Sequence, residues 1–173
     1  MKKTVIALVI LVLALPLYAG PYNDVSLSFG MDNYKWPMDG ISFSYGVNIG
    51  ITDRLELGAW GISELIDIPF SENVFGLEAS YALIGKRNTG SIVAGSGINT
   101  LVGAGLFYST KDKGIGPMIT ITPITIGSSI SGRREKVLKT NAGWDAVNGK
   151  LFISCSLITI DIFVKGTYKD YEY

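Results

Sequence analysis

The stretch Ile41-Ser42-Phe43-Ser44-Tyr45-Gly46-Val47-Asn48-Ile49-Gly50-Ile51 decides the fold. Apolar residues occupy its odd positions, and small or polar residues lie between them. This period of two predicts a strand with one apolar face and one polar face. The length suits a strand that crosses a bilayer at a tilt, so we expect a strand of a membrane β-barrel.

The alternation continues on both sides of this stretch. Thr52-Asp53-Arg54 interrupts it, and Asp in a short polar connection is typical of a hairpin turn. Strands are predicted before it at 25–29 and after it at 55–60 and 75–83. Together they indicate an antiparallel meander.

Further along the chain the strands are harder to place. Residues 91–99 and 101–110 are interpreted as two short strands around Asn99-Thr100, followed by strands at 119–126 and 150–168. Pro123 shifts the apolar phase by one residue, as a β-bulge does, and a similar slip lies in the last strand between Ser156 and Thr159.

The count is eight strands, an even number that allows both chain ends to lie on one side of a membrane. The connections near 32–39, 63–73 and 132–149 are longer and are expected to face outward. Those near 53, 86–90 and 111–114 are short and are expected to face inward. The fold class is therefore all-β, an eight-stranded antiparallel up-and-down transmembrane barrel.

The N-terminus has the order of a cleavable secretory signal. Lys2 and Lys3 precede an apolar run over residues 4–15, and Ala19 precedes Gly20. The run is shorter than the ~20 residues that a membrane-spanning helix needs. We expect a signal peptide over 1–19 and one barrel domain over 20–173, working outside the cytoplasm.

Composition excludes several classes of function. Outside residues 1–19 there are 13 basic and 15 acidic residues, so there is no basic field for nucleic acid. Cys155 is the single cysteine, no metal-ligand spacing appears, and no cofactor is predicted. The chain has no histidine, which argues against an enzyme that activates a hydroxyl with a histidine base.

Charged residues at inward strand positions predict a polar network in the lumen. Glu56 and Glu78 are placed inward on neighbouring strands, and Asp161 and Lys165 share one face of the last strand. With Arg54 as a further cation, they are expected to pair, because an unpaired charge in a narrow lumen is costly. A catalytic carboxylate pair is the weaker alternative.

A second group of charges lies in the segment Gly132-Arg133-Arg134-Glu135-Lys136-Val137-Leu138-Lys139. Arg133, Arg134, Lys136 and Lys139 are interpreted as a loop that contacts anionic lipid headgroups or a surface polyanion. The alternative is a solvated loop without a partner.

In this pattern the chain resembles the small eight-stranded outer-membrane barrels of Gram-negative-type bacteria, broadly the OmpX, OmpW and OmpA-barrel class. Barrels of this class commonly end in an aromatic residue that the assembly machinery recognises, and Tyr171 and Tyr173 look similar. The resemblance implies a location in the outer membrane, with lipid and the barrel assembly machinery as partners.

Two functional hypotheses remain open at this point. The first is a non-enzymatic outer-membrane barrel, either a structural or surface-exposed protein or a narrow conduit for small, even hydrophobic, solutes. The second is a soluble periplasmic lipocalin-like barrel that binds a small apolar ligand. A soluble barrel places Phe43, Val47 and Ile49 inside, whereas a membrane barrel places them outside.

Overall fold

Eight β-strands form a closed barrel in the computed structural model, which describes residues 24–36, 42–64, 73–85, 99–128 and 133–165. Each strand pairs antiparallel with the next, and the first pairs with the last. The described residues include no helix long and apolar enough to cross a membrane. The strands are β1 (Val25–Trp36), β2 (Ser42–Gly50), β3 (Leu55–Glu64), β4 (Asn73–Ile84), β5 (Asn99–Ser109), β6 (Gly114–Ser128), β7 (Arg133–Asp145) and β8 (Lys150–Lys165).

The apolar face of the wall points outward. In β4 Leu77 is 64% exposed, whereas the next residue, Glu78, is buried in the lumen. In β2 the small and polar residues, such as Ser42 and Asn48, are buried while the ring of Tyr45 is exposed. A soluble ligand-binding barrel would show the opposite order. The predicted fold class, a transmembrane-type barrel with apolar residues on its outer face, is confirmed.

The strand directions define two ends of the barrel. At the terminal end β1 begins and β8 ends, and the turn 51–54 joins β2 to β3 there. The turns 110–113 and 146–149 lie at the opposite end, which we call the far end. The expectation that the 111–114 connection shares a side with the turn near residue 53 was therefore wrong. The extra strand expected over 91–99 accounts for the difference, because it made residues 101–110 the sixth strand, whereas Asn99–Ser109 form the fifth.

One strand was missed in the sequence: β7 takes the place of the long loop expected over 132–149. Arg134 and Lys136 occupy inward positions of β7, and charged residues also occur between them. Apolar and polar residues therefore do not alternate along β7 as clearly as they do along β2. The assignment of a turn at Asn99-Thr100 was also wrong, because both residues belong to β5. The rest of the extra strand expected over 91–99 lies outside the described residues.

Each of three neighbouring strands contains one additional residue at the same level: Pro123 in β6, Leu138 in β7 and Leu157 in β8. The pairing register between β6 and β7, and between β7 and β8, is the same before and after these residues. They shift only at the two borders, between β5 and β6 and between β8 and β1. The phase slips expected at Pro123 and in the last strand are thus parts of one feature, which we call the bulge row.

Threonine hydroxyls satisfy two carbonyl groups of the bulge row. Thr100 Oγ1 donates to the Pro123 carbonyl oxygen at 2.9 Å, and Thr140 Oγ1 donates to the Leu138 carbonyl oxygen at 3.2 Å. Leu138 has a φ of 57°, in the left-handed region that a leucine rarely adopts. The bulge reverses the phase of β7, so that Lys136 and Lys139, an odd number of residues apart, both face the lumen.

Candidate functional site

The lumen near the terminal end contains an ion-pair cluster of four fully buried charges. Arg134 Nε and Nη2 bond to Asp161 Oδ2, the former at 2.8 Å, and Nη2 also donates to Glu56 Oε2 at 2.8 Å. Lys136 Nζ lies 2.8 Å from Glu56 Oε1 and 3.2 Å from Asp161 Oδ2. Each cation therefore contacts both carboxylates, and the four groups form a closed network.

Strand geometry explains why these four side chains meet. Arg134 and Asp161 are direct register partners on β7 and β8, and Arg134 and Lys136 are two residues apart on one face of β7. Glu56, near the terminal end of β3, reaches them across the lumen. The network therefore connects one wall of the barrel to the opposite wall.

Hydroxyl and amide groups of β1 and β2 complete the bonding of Asp161. The Ser28 hydroxyl donates to Asp161 Oδ1, and Asn48 Nδ2 donates to Ser28 Oγ at 2.6 Å. A buried carboxylate needs several donors to offset the loss of water. The polar face of the stretch that decides the fold thus contributes directly to the network.

A second ion pair lies in the middle of the lumen. Lys139 Nζ donates to Glu78 Oε1 at 2.7 Å and lies 5.8 Å from the centroid of the Trp60 ring, within reach of a cation–π interaction. Trp60 Nε1 donates to Glu78 Oε2 at 3.1 Å. The Thr120 hydroxyl lies 2.9 Å from both Glu78 Oε2 and Asn141 Oδ1. The two ion-paired groups together balance three cations with three anions.

Toward the far end the lumen becomes apolar. The rings of Phe107 and Phe152 stack with centroids 4.9 Å apart, and both side chains are buried. We call this layer the hydrophobic cluster; its residues are Trp60, Ile62, Val74, Phe107, Met118 and Phe152. This layer lies on the far side of the charged groups.

The space between the two ion pairs is small. A cavity of about 20 Å³ lies between the ion pairs and is lined mainly by polar side chains, including Ser44, Ser156 and Thr159. That volume holds about one water molecule. Side chains therefore leave little space between the two ion pairs, as expected for the lumen of a barrel of eight strands.

Three of the five residues predicted for the lumen network lie there: Glu56, Glu78 and Asp161. Arg54 instead lies in the exposed turn between β2 and β3. Lys165 is the last residue of β8, and its side chain is outside the description. The carboxylates are paired with cations of β7 instead.

The predicted lipid-contact loop is corrected for three of its four residues. Arg134, Lys136 and Lys139 are buried in the lumen rather than exposed in a loop. Arg133 does face outward, where Nη2 lies 3.1 Å from Glu135 Oε1. A signal for β7 was present in the sequence, because Arg134 and Lys136 are two residues apart, the spacing of side chains on one face of a strand.

Two further sequence expectations concern the C-terminus and metal binding. Tyr171 and Tyr173, the predicted assembly signal, lie outside the described residues. Among the residues that are described, no cluster of His, Cys, Asp and Glu is suited to hold a metal ion. The lumen carboxylates are instead occupied by Arg and Lys.

Comparison with known proteins supports the fold. No protein-family model and no curated protein sequence matches the chain. The chain is similar in structure to the crystal structure of the N-terminal β-barrel domain of Pseudomonas aeruginosa OprF, with a TM-score of 0.54, 14% identity, and coverage of 84% of this chain and 99% of that one. A solution NMR structure of the de novo designed TMB2.3 matches with a TM-score of 0.48, 13% identity, and coverage of 84% and 95%. The chain has the fold of the small eight-stranded outer-membrane β-barrels.

Proposed function

We propose that this chain is a non-enzymatic outer-membrane β-barrel that acts as a structural, surface-exposed protein rather than as a conduit. The single observation that carries this proposal is the series of three side-chain layers in the described part of the lumen. The ion-pair cluster, the pair of Lys139 and Glu78, and the hydrophobic cluster follow one another from the terminal end to the far end. A solute would have to displace all three layers.

The energetic cost of such displacement favours a closed barrel. Separating Arg134 from Asp161 without water to replace the contact would leave two charges unpaired, at a cost of several kcal/mol. The hydrophobic cluster adds a layer that ions cross poorly. A permeation path would thus require a rearrangement of the lumen and not only thermal motion of one side chain.

The far end is suited to be the surface-exposed end. Its two described turns are bonded to each other, because Lys150 Nζ donates to Asp112 Oδ1 at 2.9 Å and Asn148 Nδ2 donates to the Asp112 carbonyl oxygen at 3.0 Å. Short, cross-bonded turns resist local opening. Because an even number of strands puts both chain ends on one side, we place the terminal end in the periplasm and the far end outside, with the assembly machinery as a partner during insertion.

Liposome permeability tests the proposal. The full chain, folded into phosphatidylcholine liposomes, should not release a small sugar faster than protein-free liposomes do. The variant Phe107→Ala/Phe152→Ala removes the two stacked rings of the hydrophobic cluster and serves as a comparison with a partly opened lumen. Gel mobility before and after heating shows that each protein is folded. Sugar release by the unmodified chain that scales with protein content would assign it to the conduits instead.

A further inference from the structure

The cavity of about 20 Å³ in the lumen is lined by a buried hydroxyl that has no protein partner. Thr159 lines this cavity and is only 5% exposed, yet no described residue bonds to its Oγ1. A buried hydroxyl without a hydrogen bond is costly, and ordered water often supplies the bond that the protein does not. The Thr159 hydroxyl therefore points to a small polar molecule bound in the cavity.

The bulge row brings further polar groups to this cavity. Ser156 and Thr159 are both buried although they are three residues apart, and Leu157 between them is 47% exposed. In a regular strand an odd spacing places two side chains on opposite faces, so the additional residue allows both hydroxyls to face the lumen. Leu138 has the same effect on β7 and directs Lys139 into the lumen, where it also lines the cavity.

Gly30 on β1 keeps the space beside two hydroxyls open. It is the register partner of both Ser44 on β2 and Thr159 on β8. A Cβ on Gly30 would lie 2.7 Å from Ser44 Oγ and 2.8 Å from Thr159 Oγ1. Because glycine has no side chain, one small molecule can reach both hydroxyls and bridge β2 and β8 across β1.

We propose that this cavity binds one water molecule. The water oxygen accepts hydrogen bonds from Lys139 Nζ and Thr159 Oγ1. Its two hydrogens are donated to Ser44 Oγ and Ser156 Oγ, and all four residues line the cavity. Lys139 uses one of its three N–H groups on Glu78 among the described contacts, which leaves a donor for the water. The volume and the number of partners are those of a buried water.

The charges of the lumen favour water over an ion. The two ion-paired groups already balance three cations with three anions. A halide would add a buried negative charge without a counterion, which is costly, and it could not donate to the serine oxygens. A cation would be repelled by Lys139. A neutral molecule that both donates and accepts hydrogen bonds fits the cavity better than either.

Crystallography of the full chain in detergent, at a resolution that shows ordered water, tests the proposal. The unmodified chain should show one density peak within hydrogen-bond distance of Thr159 Oγ1. Thr159→Val keeps the shape of the side chain but replaces the hydroxyl with a methyl group, so the peak should disappear. Thr125→Val makes the same change at a buried threonine of β6 that does not line the cavity, and it should keep the peak. Gel mobility before and after heating shows that each protein is folded.

Occupancy of the site is the readout, and not stability. Loss of the water should leave the stability of Thr159→Val nearly unchanged, because the entropy that the water regains in bulk solvent offsets its lost hydrogen bonds. No peak in the unmodified chain, a peak that persists in Thr159→Val, or a peak that is lost in both variants would each overturn the proposal. Crystals soaked in sodium bromide distinguish water from an anion: an anomalous peak at the site would assign it to a halide and also overturn the proposal.

Discussion

Arg134 and Asp161 lie directly opposite each other on β7 and β8, and their side chains meet inside the lumen through two hydrogen bonds from one guanidinium. Neither side chain is exposed to solvent by more than 1%. The same guanidinium also reaches Glu56 on the opposite wall. Arg134 on β7 therefore links this strand both to the neighbouring β8 and to β3 on the opposite wall.

Replacing this residue should destabilise the barrel strongly. Arg134→Met removes one cation and leaves Glu56 and Asp161 with Lys136 alone, an excess of one buried negative charge. Loss of one partner of a buried ion pair costs about 3–5 kcal/mol. Urea unfolding in phospholipid vesicles, followed by gel mobility, measures the free energy of unfolding.

The neighbouring arginine provides the control for this measurement. Arg133→Met makes the same substitution one position earlier, where the side chain is 53% exposed on the outer wall. Its effect should stay within about 0.5 kcal/mol, as for most surface substitutions. If the two variants had equal stability, the network would not hold the barrel together.

A second substitution should rescue part of the loss. In Arg134→Met/Asp161→Asn the remaining charges of the cluster are Lys136 and Glu56, which pair at 2.8 Å and balance each other. The double variant should be more stable than the sum of the two single effects predicts, by about 0.5–3 kcal/mol. A double-mutant cycle measures this coupling energy. Strict additivity would mean that the two residues act independently.

The stability of the barrel should depend on the two threonine hydroxyls that donate to carbonyl groups of the bulge row. Thr100→Val and Thr140→Val each leave a carbonyl oxygen, of Pro123 or Leu138, without its hydroxyl donor. An unsatisfied group of this kind costs about 1–3 kcal/mol, since the wall offers it no water. Thr159→Val is the matched control, because no described residue bonds to the Thr159 hydroxyl. In urea unfolding we expect Thr159→Val to leave the free energy of unfolding unchanged or to raise it. An equal decrease in all three variants would contradict the role of the two threonine hydroxyls.

The sequence predicted the barrel but not all of its strands. In β2 and β4 the apolar and polar residues alternate with a period of two, so these strands, their faces and the inward position of Glu78 could be read directly; the alternation Leu55-Glu56-Leu57 of β3 gave the inward position of Glu56. In β7 charged residues occur on both faces: Arg133 and Glu135 point outward while Arg134 and Lys136 point inward. This pattern is typical of a loop as well.

The partners of the lumen carboxylates were missed for a related reason. Leu138 inserts one residue into β7, and only the alignment with Pro123 on β6 and Leu157 on β8 explains the insertion. Such an alignment depends on register between strands, which a single sequence does not contain. Without it the phase of Lys139 could not be assigned, and Glu78 had no predicted partner from β7.

Close packing of Trp60 against Gly76 yields the last prediction. A Cβ on Gly76 would lie 2.3 Å from Trp60 Cε2 and Cζ2, so Gly76→Ala must displace the indole ring or the strand. Displacement weakens the bond from Trp60 Nε1 to Glu78, now 3.1 Å long. Overpacking of this kind costs about 1–3 kcal/mol. Urea unfolding should show that loss.

Fluorescence separates crowding of the indole from general destabilisation. In a Trp36→Phe/Trp144→Phe background Trp60 is the single tryptophan, so Gly76→Ala should shift its emission. Gly149→Ala in the same background introduces strain at a φ of 66° in a turn, where it should reduce stability by about 1–2 kcal/mol and leave the emission unchanged. An unshifted emission in Gly76→Ala would mean that the indole does not rest on the glycine. Trp60 contacts Lys139 and also belongs to the hydrophobic cluster. A shift of its emission together with a weaker Lys139–Glu78 ion pair would therefore show that this ring couples the charged and apolar layers of the lumen.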